Sequence, residues 1–306
     1  MAPLQGLSAF PITPTDAAGC VDTAALRRLV GRLVAARVDS IGLLGSTGIY
    51  MYLTRGERRR AVEAAMDESS GRIPVIAGIG ALRTDEAVAL ARDAKDIGAA
   101  AGLLSAASYT PLTDDEVFEH FSTVAREGGL PIVIYDNPGT THFQFTPDLV
   151  ARLAKVPGIV AIKNPGVGAE DTARHLAAQR ALVPQGFSIG CSADWTVAET
   201  MLAGADTWYS VLGGLLPGVC LRLVRAAQQG DAAEARRLDS ALEPLWELFR
   251  QYSSLRVIYA LADLLDICRT APPRPLLPLS DTAKRQVADT LAHLPALVTE
   301  GPDTLT

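Results

Sequence analysis

Short apolar runs alternate with longer amphipathic stretches along most of the chain. The runs 75–77 and 132–134 contain only Val, Ile and Ala, and such uninterrupted runs are typical of strands that are buried on both faces of a sheet. The stretches between the runs have the 3.6-residue periodicity of helices. The pattern predicts eight strands, at residues 7–12, 40–45, 73–79, 99–105, 130–136, 158–163, 187–190 and 207–212, of which the seventh is the weakest.

Strands that alternate with helices favour a parallel α/β fold. An open, doubly wound sheet would be expected to carry a Gly-x-Gly-x-x-Gly motif after its first strand, and no such motif follows residues 7–12. The sequence therefore predicts a closed (β/α)8 TIM barrel over residues 1–229. Because such a barrel typically needs about 250 residues, the chain of 306 residues also has room for a predicted C-terminal helical extension at residues 230–306.

Four helical patterns follow the eighth strand. The first is predicted to be the eighth helix of the barrel, and the other three make up the extension. The apolar rows of these helices suit two interpretations, a dimer surface or packing against the barrel. The four patterns cover residues 215–229, 232–252, 255–266 and 281–293.

Four polar residues stand where predicted helices begin: Asp22, Thr54, Thr84 and Thr113. A side-chain oxygen at such a position accepts a hydrogen bond from a backbone N–H of the first helical turn. Glu57 and Glu116 follow Thr54 and Thr113 by three residues, so these two pairs are predicted capping boxes.

Composition narrows the class of protein. Hydrophobic residues make up 48% of the chain and charged residues 20%, as is typical of a soluble globular protein. The net charge of −6 and the pI near 5.3 argue against nucleic-acid binding, which requires a basic surface. The apolar stretches are shorter than the roughly 18 residues of a membrane span, so no membrane partner is expected either.

Cysteine and histidine usage gives no sign of a metal site. The four cysteines, Cys20, Cys191, Cys220 and Cys268, lack the spacing of a metal-binding or redox pair, and no signal sequence precedes them, so we expect a reducing, cytoplasmic location. The four histidines are scattered, without a His-x-His or His-x-x-x-His pair. The sequence therefore predicts neither a metal nor any other cofactor.

Lys163 is the most informative single residue. It ends the apolar run 159–162, in a chain where only four of 28 basic residues are lysine. Arginine keeps its proton, whereas a desolvated lysine can lose its proton and attack a carbonyl. Two interpretations stay open from the residue alone: a strand-end lysine that reaches the rim or pairs with a carboxylate, and a lysine that forms a Schiff base.

Hydroxyl groups follow several of the predicted strands, at the end of a barrel where working residues lie. They occur in Gly45–Gly48 after the second strand, in Ser108–Tyr109 after the fourth, and at Tyr135 at the end of the fifth. Each alone has an ordinary explanation, as a turn, a loop anchor or a core tyrosine. Their convergence with Lys163 on one barrel mouth favours imine chemistry, which needs a hydroxyl acid and base near the amine and donors for a small anion.

Across nearly its whole length the chain resembles the dihydrodipicolinate synthase and N-acetylneuraminate lyase family of pyruvate-handling class I aldolases. The matching segments fall in the family's order and spacing: Phe10-Pro11-Ile12-Thr13-Pro14, Gly45-Ser46-Thr47-Gly48, Ile73-Pro74-Val75-Ile76-Ala77-Gly78, Tyr135-Asp136-Asn137-Pro138 and Ala161-Ile162-Lys163. The resemblance implies that Lys163 forms an imine with the keto carbon of pyruvate or a pyruvate-yielding substrate and that Tyr135 relays protons.

The resemblance also implies roles for further residues. Ser46 and Tyr109 would complete the proton relay, with Tyr109 lent across a tight dimer. Thr47, with Gly48 beside it, would help to hold the pyruvate carboxylate, and Gly190 and Tyr209 match weaker substrate-lining positions.

Four positions depart from the family pattern. The family usually has Glu where this chain has Ile49. Its synthase has an arginine at the position of Thr140, which is a candidate substrate-binding residue in this chain. Without that arginine no residue is expected to pair with the carboxylate of aspartate semialdehyde, so the two losses argue against the synthase reaction. Asp136 and Asn164 also replace residues that are commoner in the family. Two explanations stay open: the replacements alter the site, or they are variation at the surface.

The resulting hypothesis is a carbon–carbon or carbon–oxygen lyase or synthase, independent of metal, that acts on pyruvate or another 2-oxo acid through a lysine imine, with an aldehyde as a candidate second partner. The alternatives are the family's synthase reaction proper, a dehydratase or deaminase on a 2-oxo or imino acid, and a barrel that binds a 2-oxo acid without turnover. A homo-oligomer, dimer or tetramer, is expected, and the apolar residues 51–53 are candidates for cover by a neighbouring subunit.

Overall fold

Eight parallel strands close into a barrel in the computed structural model, which describes residues 4–296. Each strand pairs with its neighbour in chain order, and β8 returns to β1. The predicted TIM barrel is therefore confirmed, including the weak seventh strand. The strands are β1 Gly6–Ala9, β2 Ser40–Leu43, β3 Val75–Gly78, β4 Ala101–Ser105, β5 Ile132–Tyr135, β6 Ile159–Asn164, β7 Ser188–Cys191 and β8 Thr207–Ser210.

Helices fill the connections and continue after the barrel. They are α1 Thr23–Ala35, α2 Arg55–Ser69, α3 Thr84–Ile97, α4 Asp114–Gly128, α5 Pro138–Thr141, α6 Pro147–Leu153, α7 Ala169–Leu182, α8 Val197–Leu202, α9 Pro217–Gln228, α10 Ala232–Tyr252, α11 Ser254–Leu264 and α12 Asp281–His293. The bounds of α10 and α12 are those that the sequence predicts. The one-turn helix α5 was not predicted.

The three helices after α9 form the predicted appendage. Helix α10 packs against both α8 and α9, and α11 and α12 pack in turn against α10. Packing against the barrel is thus one role of their apolar rows. The division at residue 229 falls in the turn between α9 and α10 and stays a prediction, and residues 297–306 of the predicted extension lie outside the described residues.

The predicted helix caps are confirmed only in part. Thr113 and Glu116 form a reciprocal capping box. Thr54 accepts a bond from the Glu57 N–H, but the Glu57 carboxylate accepts from the N–H of Val21 at 2.6 Å instead of closing a box. The prediction for Thr84 is wrong, because this residue is already inside α3 and its hydroxyl bonds His120 Nδ1 at 2.9 Å.

The interior of the barrel is a small apolar cluster, separate from the larger core between strands and helices. Its members include Phe10, Val133 and Ala161, and the rings of Tyr135 and Tyr209 belong to it. Since all eight strands are almost wholly buried, side chains that project inward at the ends of the strands are held in a dry, rigid frame.

Two observations bear on the expected location. The thiols of Cys20, Cys191, Cys220 and Cys268 are all free. Within residues 4–296, no helix has both the length and the apolar character that crossing a bilayer requires.

Gly78, at the end of β3, tests the close packing of this frame. A Cβ atom at Gly78 would lie 1.8 Å from the carbonyl oxygen of Leu44, which is backbone and cannot rotate away. We expect Gly78→Ala to lower the free energy of unfolding by about 1–3 kcal/mol, as measured by urea denaturation, because the strands must separate to admit the methyl group.

Gly56→Ala is the matched control. Gly56 lies in α2, and the nearest atom to a Cβ there is Thr54 Oγ1 at 3.9 Å. We expect this variant to be neutral or more stable by up to about 1 kcal/mol, since alanine is the better helix former. Equal stabilities for the two variants would contradict the tight contact at Gly78.

Candidate active site

Lys163 and Tyr135 stand side by side on β6 and β5. Their Cα atoms are register partners, so both side chains project from the same face of the sheet, into the barrel. The Lys163 Nζ lies 4.4 Å from the centre of the Tyr135 ring and 4.2 Å from that of Phe10. Lys163 is 3% exposed, and no carboxylate of residues 4–296 forms an ion pair with it. The interpretation of Lys163 as a rim lysine or an ion-paired lysine is therefore wrong.

Burial changes the acidity of this amine. Desolvation lowers the pKa of Lys163 from 10.5 to about 7, and the buried carboxylate of Asp194 opposes this only in part. Aromatic faces attract a cation, but they do not replace its hydration shell. A large fraction of the amine is thus neutral near pH 7, and the neutral amine is the form that attacks a carbonyl.

Phe10 owes its position against Lys163 to two glycines of the second strand and its loop. A Cβ at Gly42 would lie 2.1 Å from the Phe10 ring, and a Cβ at Gly45 would lie 2.8 Å from it. Only residues without a side chain leave room for the ring there. Phe10 belongs to a sequence motif of the family but was not predicted to be a site residue. The motif is the signal that could have identified it.

The Tyr135 hydroxyl is the centre of a short hydrogen-bond chain. Asn137 Nδ2 donates to Tyr135 Oη at 2.9 Å, and Ser46 Oγ lies 3.0 Å from the same oxygen. The amide uses one lone pair of the phenol, which leaves the phenol able either to donate its proton to Ser46 or to accept the Ser46 proton. Desolvation raises the pKa of Tyr135, so the phenol keeps its proton at neutral pH. Asn137 is a second residue that the sequence-based set of site residues missed.

The loop after β2 presents free donors. Thr47 is 3% exposed, yet in the part of the chain that the structure describes neither its N–H and hydroxyl nor the N–H of Gly48 makes a hydrogen bond. The next residue, Ile49, is held at φ 55°, which is a strained conformation for a β-branched residue. Free backbone N–H groups in a loop can bind small anions, and this is the role predicted for Thr47 and Gly48.

A cavity of about 410 Å³ adjoins this group. Ser46 lines the cavity and also bonds Tyr135, so it connects the cavity to the lysine. Thr140, from the one-turn helix α5, also lines the cavity, and its hydroxyl donates to the Asn137 carbonyl at 3.3 Å. Arg256 of α11 also lines the cavity. No motif singles out this arginine, because it belongs to a helix far from the barrel strands in sequence.

Three sequence-predicted residues lie elsewhere in the single chain. Tyr109 is 98% exposed and does not line the cavity. Tyr209 is wholly buried in the barrel interior, with its ring centre 5.8 Å from Lys163 Nζ. Gly190 makes room for that ring, since a Cβ there would lie 2.4 Å from Tyr209 Cε2. The structure thus gives Gly190 and Tyr209 a place in the packing around Lys163 and not along the cavity.

The substitutions at Asp136 and Asn164 are not variations of the surface. Both residues are buried, at 6% and 4% exposure. Asn164 exchanges two amide hydrogen bonds with Gln179 of α7, at 2.7 and 3.1 Å, and desolvation raises the pKa of Asp136 to about 7. Asn164 therefore ties its strand to a covering helix.

Of the predicted apolar residues 51–53, Met51 and Tyr52 are 40% and 46% exposed, whereas Leu53 is buried in its own chain.

Within residues 4–296, no group of three or more His, Cys, Asp and Glu side chains is arranged to hold a metal ion.

Comparison with known proteins gives a consistent result. The sequence model of the dihydrodipicolinate synthetase family matches residues 3–294. A 4-hydroxy-tetrahydrodipicolinate synthase of Methylibium petroleiphilum is 35% identical over 292 residues, which cover 95% of this chain and 98% of the relative. The same enzyme of Methylococcus capsulatus is 36% identical over 262 residues, covering 85% and 89%.

Solved structures agree. The crystal structure of a dihydrodipicolinate synthase from Agrobacterium tumefaciens superposes with a TM-score of 0.93 at 54% identity, covering 95% of this chain and 98% of the other. A dihydrodipicolinate synthase from Aquifex aeolicus superposes with a TM-score of 0.88 at 30% identity, covering 95% and 99%.

The pKa of Lys163 can be measured directly, because the chain has only four lysines. In protein labelled with 13C at lysine Cε, we expect one of the four lysine signals to titrate near pH 7. The signal near pH 7 should be absent from Lys163→Met. A spectrum in which all four signals titrate above pH 9 would contradict the desolvated amine.

Proposed function

Since the chain belongs to the dihydrodipicolinate synthetase family, we propose that it is a lyase or synthase that makes or breaks a carbon bond at pyruvate or another 2-oxo acid through an imine on Lys163. The observation that carries this proposal is the buried amine of Lys163 beside the Tyr135 phenol, without a carboxylate partner and with a pKa lowered to about 7.

The loop after β2 would bind the carboxylate of the 2-oxo acid. The N–H groups of Thr47 and Gly48 and the Thr47 hydroxyl are free donors, and hydrogen bonds to a charged acceptor are stronger than those between neutral groups. Ser46, in the same loop, reaches Tyr135. An anion held there would lie close to the hydroxyl groups that serve the lysine.

Imine formation follows from these groups. The neutral amine of Lys163 attacks the keto carbon, and the carbonyl oxygen receives a proton from Tyr135 to give a carbinolamine. Loss of water then forms the protonated imine, with Tyr135 and Ser46 returning and removing protons along their hydrogen bond. The imine withdraws electrons, so the adjacent carbon can lose a proton to form an enamine, which attacks an aldehyde; the reverse sequence cleaves the bond.

The relatives are named synthases, so we favour the bond-forming direction, with pyruvate and an aldehyde as the two partners. The aldehyde would enter through the cavity that Ser46 lines. Ile49 and Thr140, which replace the family's Glu and Arg, both line this cavity, so the difference from the synthase reaction would lie in the second partner and not in the imine.

A dimer, alone or paired into a tetramer, would complete the site. Tyr109 is almost fully exposed and Met51 and Tyr52 are partly exposed, as expected of residues that a second copy covers. In such a dimer Tyr109 of each chain would enter the partner's site.

We place the protein in the cytoplasm.

Borohydride trapping tests the imine. With pyruvate and borohydride we expect a mass adduct on the peptide that contains Lys163, and none in Lys163→Ala. Tyr135→Phe should slow adduct formation by about 10²–10⁴-fold, the usual contribution of a general acid or base. Lys155→Ala, in the exposed turn after α6, and Tyr252→Phe, at the partly exposed end of α10, are the controls and should react like the wild type. An adduct on another lysine, or full reaction in Tyr135→Phe, would refute the proposal.

Mixed oligomers test the role of Tyr109. Lys163→Ala and Tyr109→Phe should each be weakly active or inactive alone. The two variants are unfolded and refolded together in equal amounts. Each mixed dimer then has one intact site, with Lys163 from one chain and Tyr109 from the other. Because half the dimers are mixed and one of their two sites is intact, activity should return to about a quarter of the wild-type value. Additive activity of the two variants, with no recovery on mixing, would show that Tyr109 is not shared.

A further inference from the structure

Arg256 is an unusual residue of the cavity. It lies near the start of α11, is partly buried, and lines the cavity together with Ser46 and Thr140. Among the described residues that line this cavity it is the sole charged one. Its guanidinium makes no hydrogen bond, ion pair or ring contact with any of residues 4–296.

The arginines of the preceding helix behave differently. Arg236, Arg237 and Arg250 of α10 form ion pairs with Glu199, Glu234 and Glu243, at 2.6, 2.7 and 2.5 Å. Because no protein group neutralises it, the Arg256 guanidinium at the cavity wall is available to pair with an anion that enters the cavity. An arginine in such a position is therefore better explained by a ligand than by the stability of the chain.

The rest of the cavity wall supplies no competing charge. Around Arg256 it consists of apolar side chains such as Ile49 and Leu255 and of hydroxyl residues such as Thr140 and Thr141. The Thr140 and Thr141 hydroxyls donate to the backbone carbonyl of Asn137. A low-polarity wall strengthens the attraction between the guanidinium and an anion, and the planar guanidinium matches a carboxylate with two parallel hydrogen bonds.

We propose that Arg256 binds a second carboxylate at the far end of the substrate, so that the protein acts on a dicarboxylic 2-oxo acid. This rests on the proposed function, in which the 2-oxo end is held at Lys163. The positive charge that Thr140 lacks is supplied from the C-terminal helices.

Concentration-dependent borohydride trapping separates the two ends of the substrate. Pyruvate and 2-oxobutyrate carry one carboxylate, whereas 2-oxoglutarate and 2-oxoadipate place a second one two or three methylenes from the keto carbon. In the wild type we expect at least one of the two dicarboxylates to trap with a lower half-saturation concentration than 2-oxobutyrate. In Arg256→Gln that concentration should rise about tenfold or more, the factor expected for a lost charge-assisted hydrogen bond, with pyruvate unchanged and Arg256→Lys partly restored.

Arg250→Gln is the matched control, because Arg250 is exposed and pairs with Glu243, and it should leave all four half-saturation concentrations unchanged. Trapping of pyruvate without a preference for either dicarboxylate, or a preference that survives in Arg256→Gln, would overturn the role of Arg256 and leave the imine intact. Loss of oligomer mass in Arg256→Gln with an unchanged dicarboxylate preference would assign the residue to a subunit contact and also overturn it. Failure of wild-type protein to trap any of the four acids would instead overturn the proposed function.

Discussion

The desolvation of one amine governs the chemistry of this barrel. Lys163 is enclosed by the rings of Phe10, Tyr135 and Tyr209, and it lacks the carboxylate that would hold its proton. The surrounding fold must therefore supply the energy that keeps a lysine in an apolar interior. Eight buried strands provide it, since the packing that they share is far larger than the cost of one misplaced polar group.

Sequence patterns were sufficient to predict the barrel and the candidate site residues at its strand ends. Short runs rich in apolar residues identified all eight strands, most clearly at β3 and β5 and least clearly at β7. A parallel sheet covered by helices has no solvated face to break such runs. Lys163, Tyr135 and Ser46 could be grouped because strand ends of a barrel share one rim. The caps show the limit: Glu57 follows Thr54 at capping-box spacing, but its carboxylate binds the N–H of Val21, a long-range contact that local spacing does not reveal.

The residues that the sequence did not reveal reach the site by tertiary packing. Phe10 contacts Lys163 only because Gly42 and Gly45 admit its ring, and Arg256 lines the cavity because the start of α11 borders the same space as the loop after β2. Phe10 belongs to a recognisable motif, whereas no motif includes Arg256. Lys163 and Tyr135 stand at strand ends, while Arg256, which is proposed to select the substrate, belongs to a C-terminal helix.

The closure of β1 against β8 has a consequence for protein synthesis. These strands pair across about two hundred residues of chain, from Gly6–Ala9 to Thr207–Ser210, and Phe10 directly follows the first of them. The barrel cannot close before β8 has been synthesised, so until then Lys163 is open to water, in which a lysine amine is largely protonated at neutral pH. The lowered pKa that the proposed imine chemistry requires can therefore arise only once the last strand is in place.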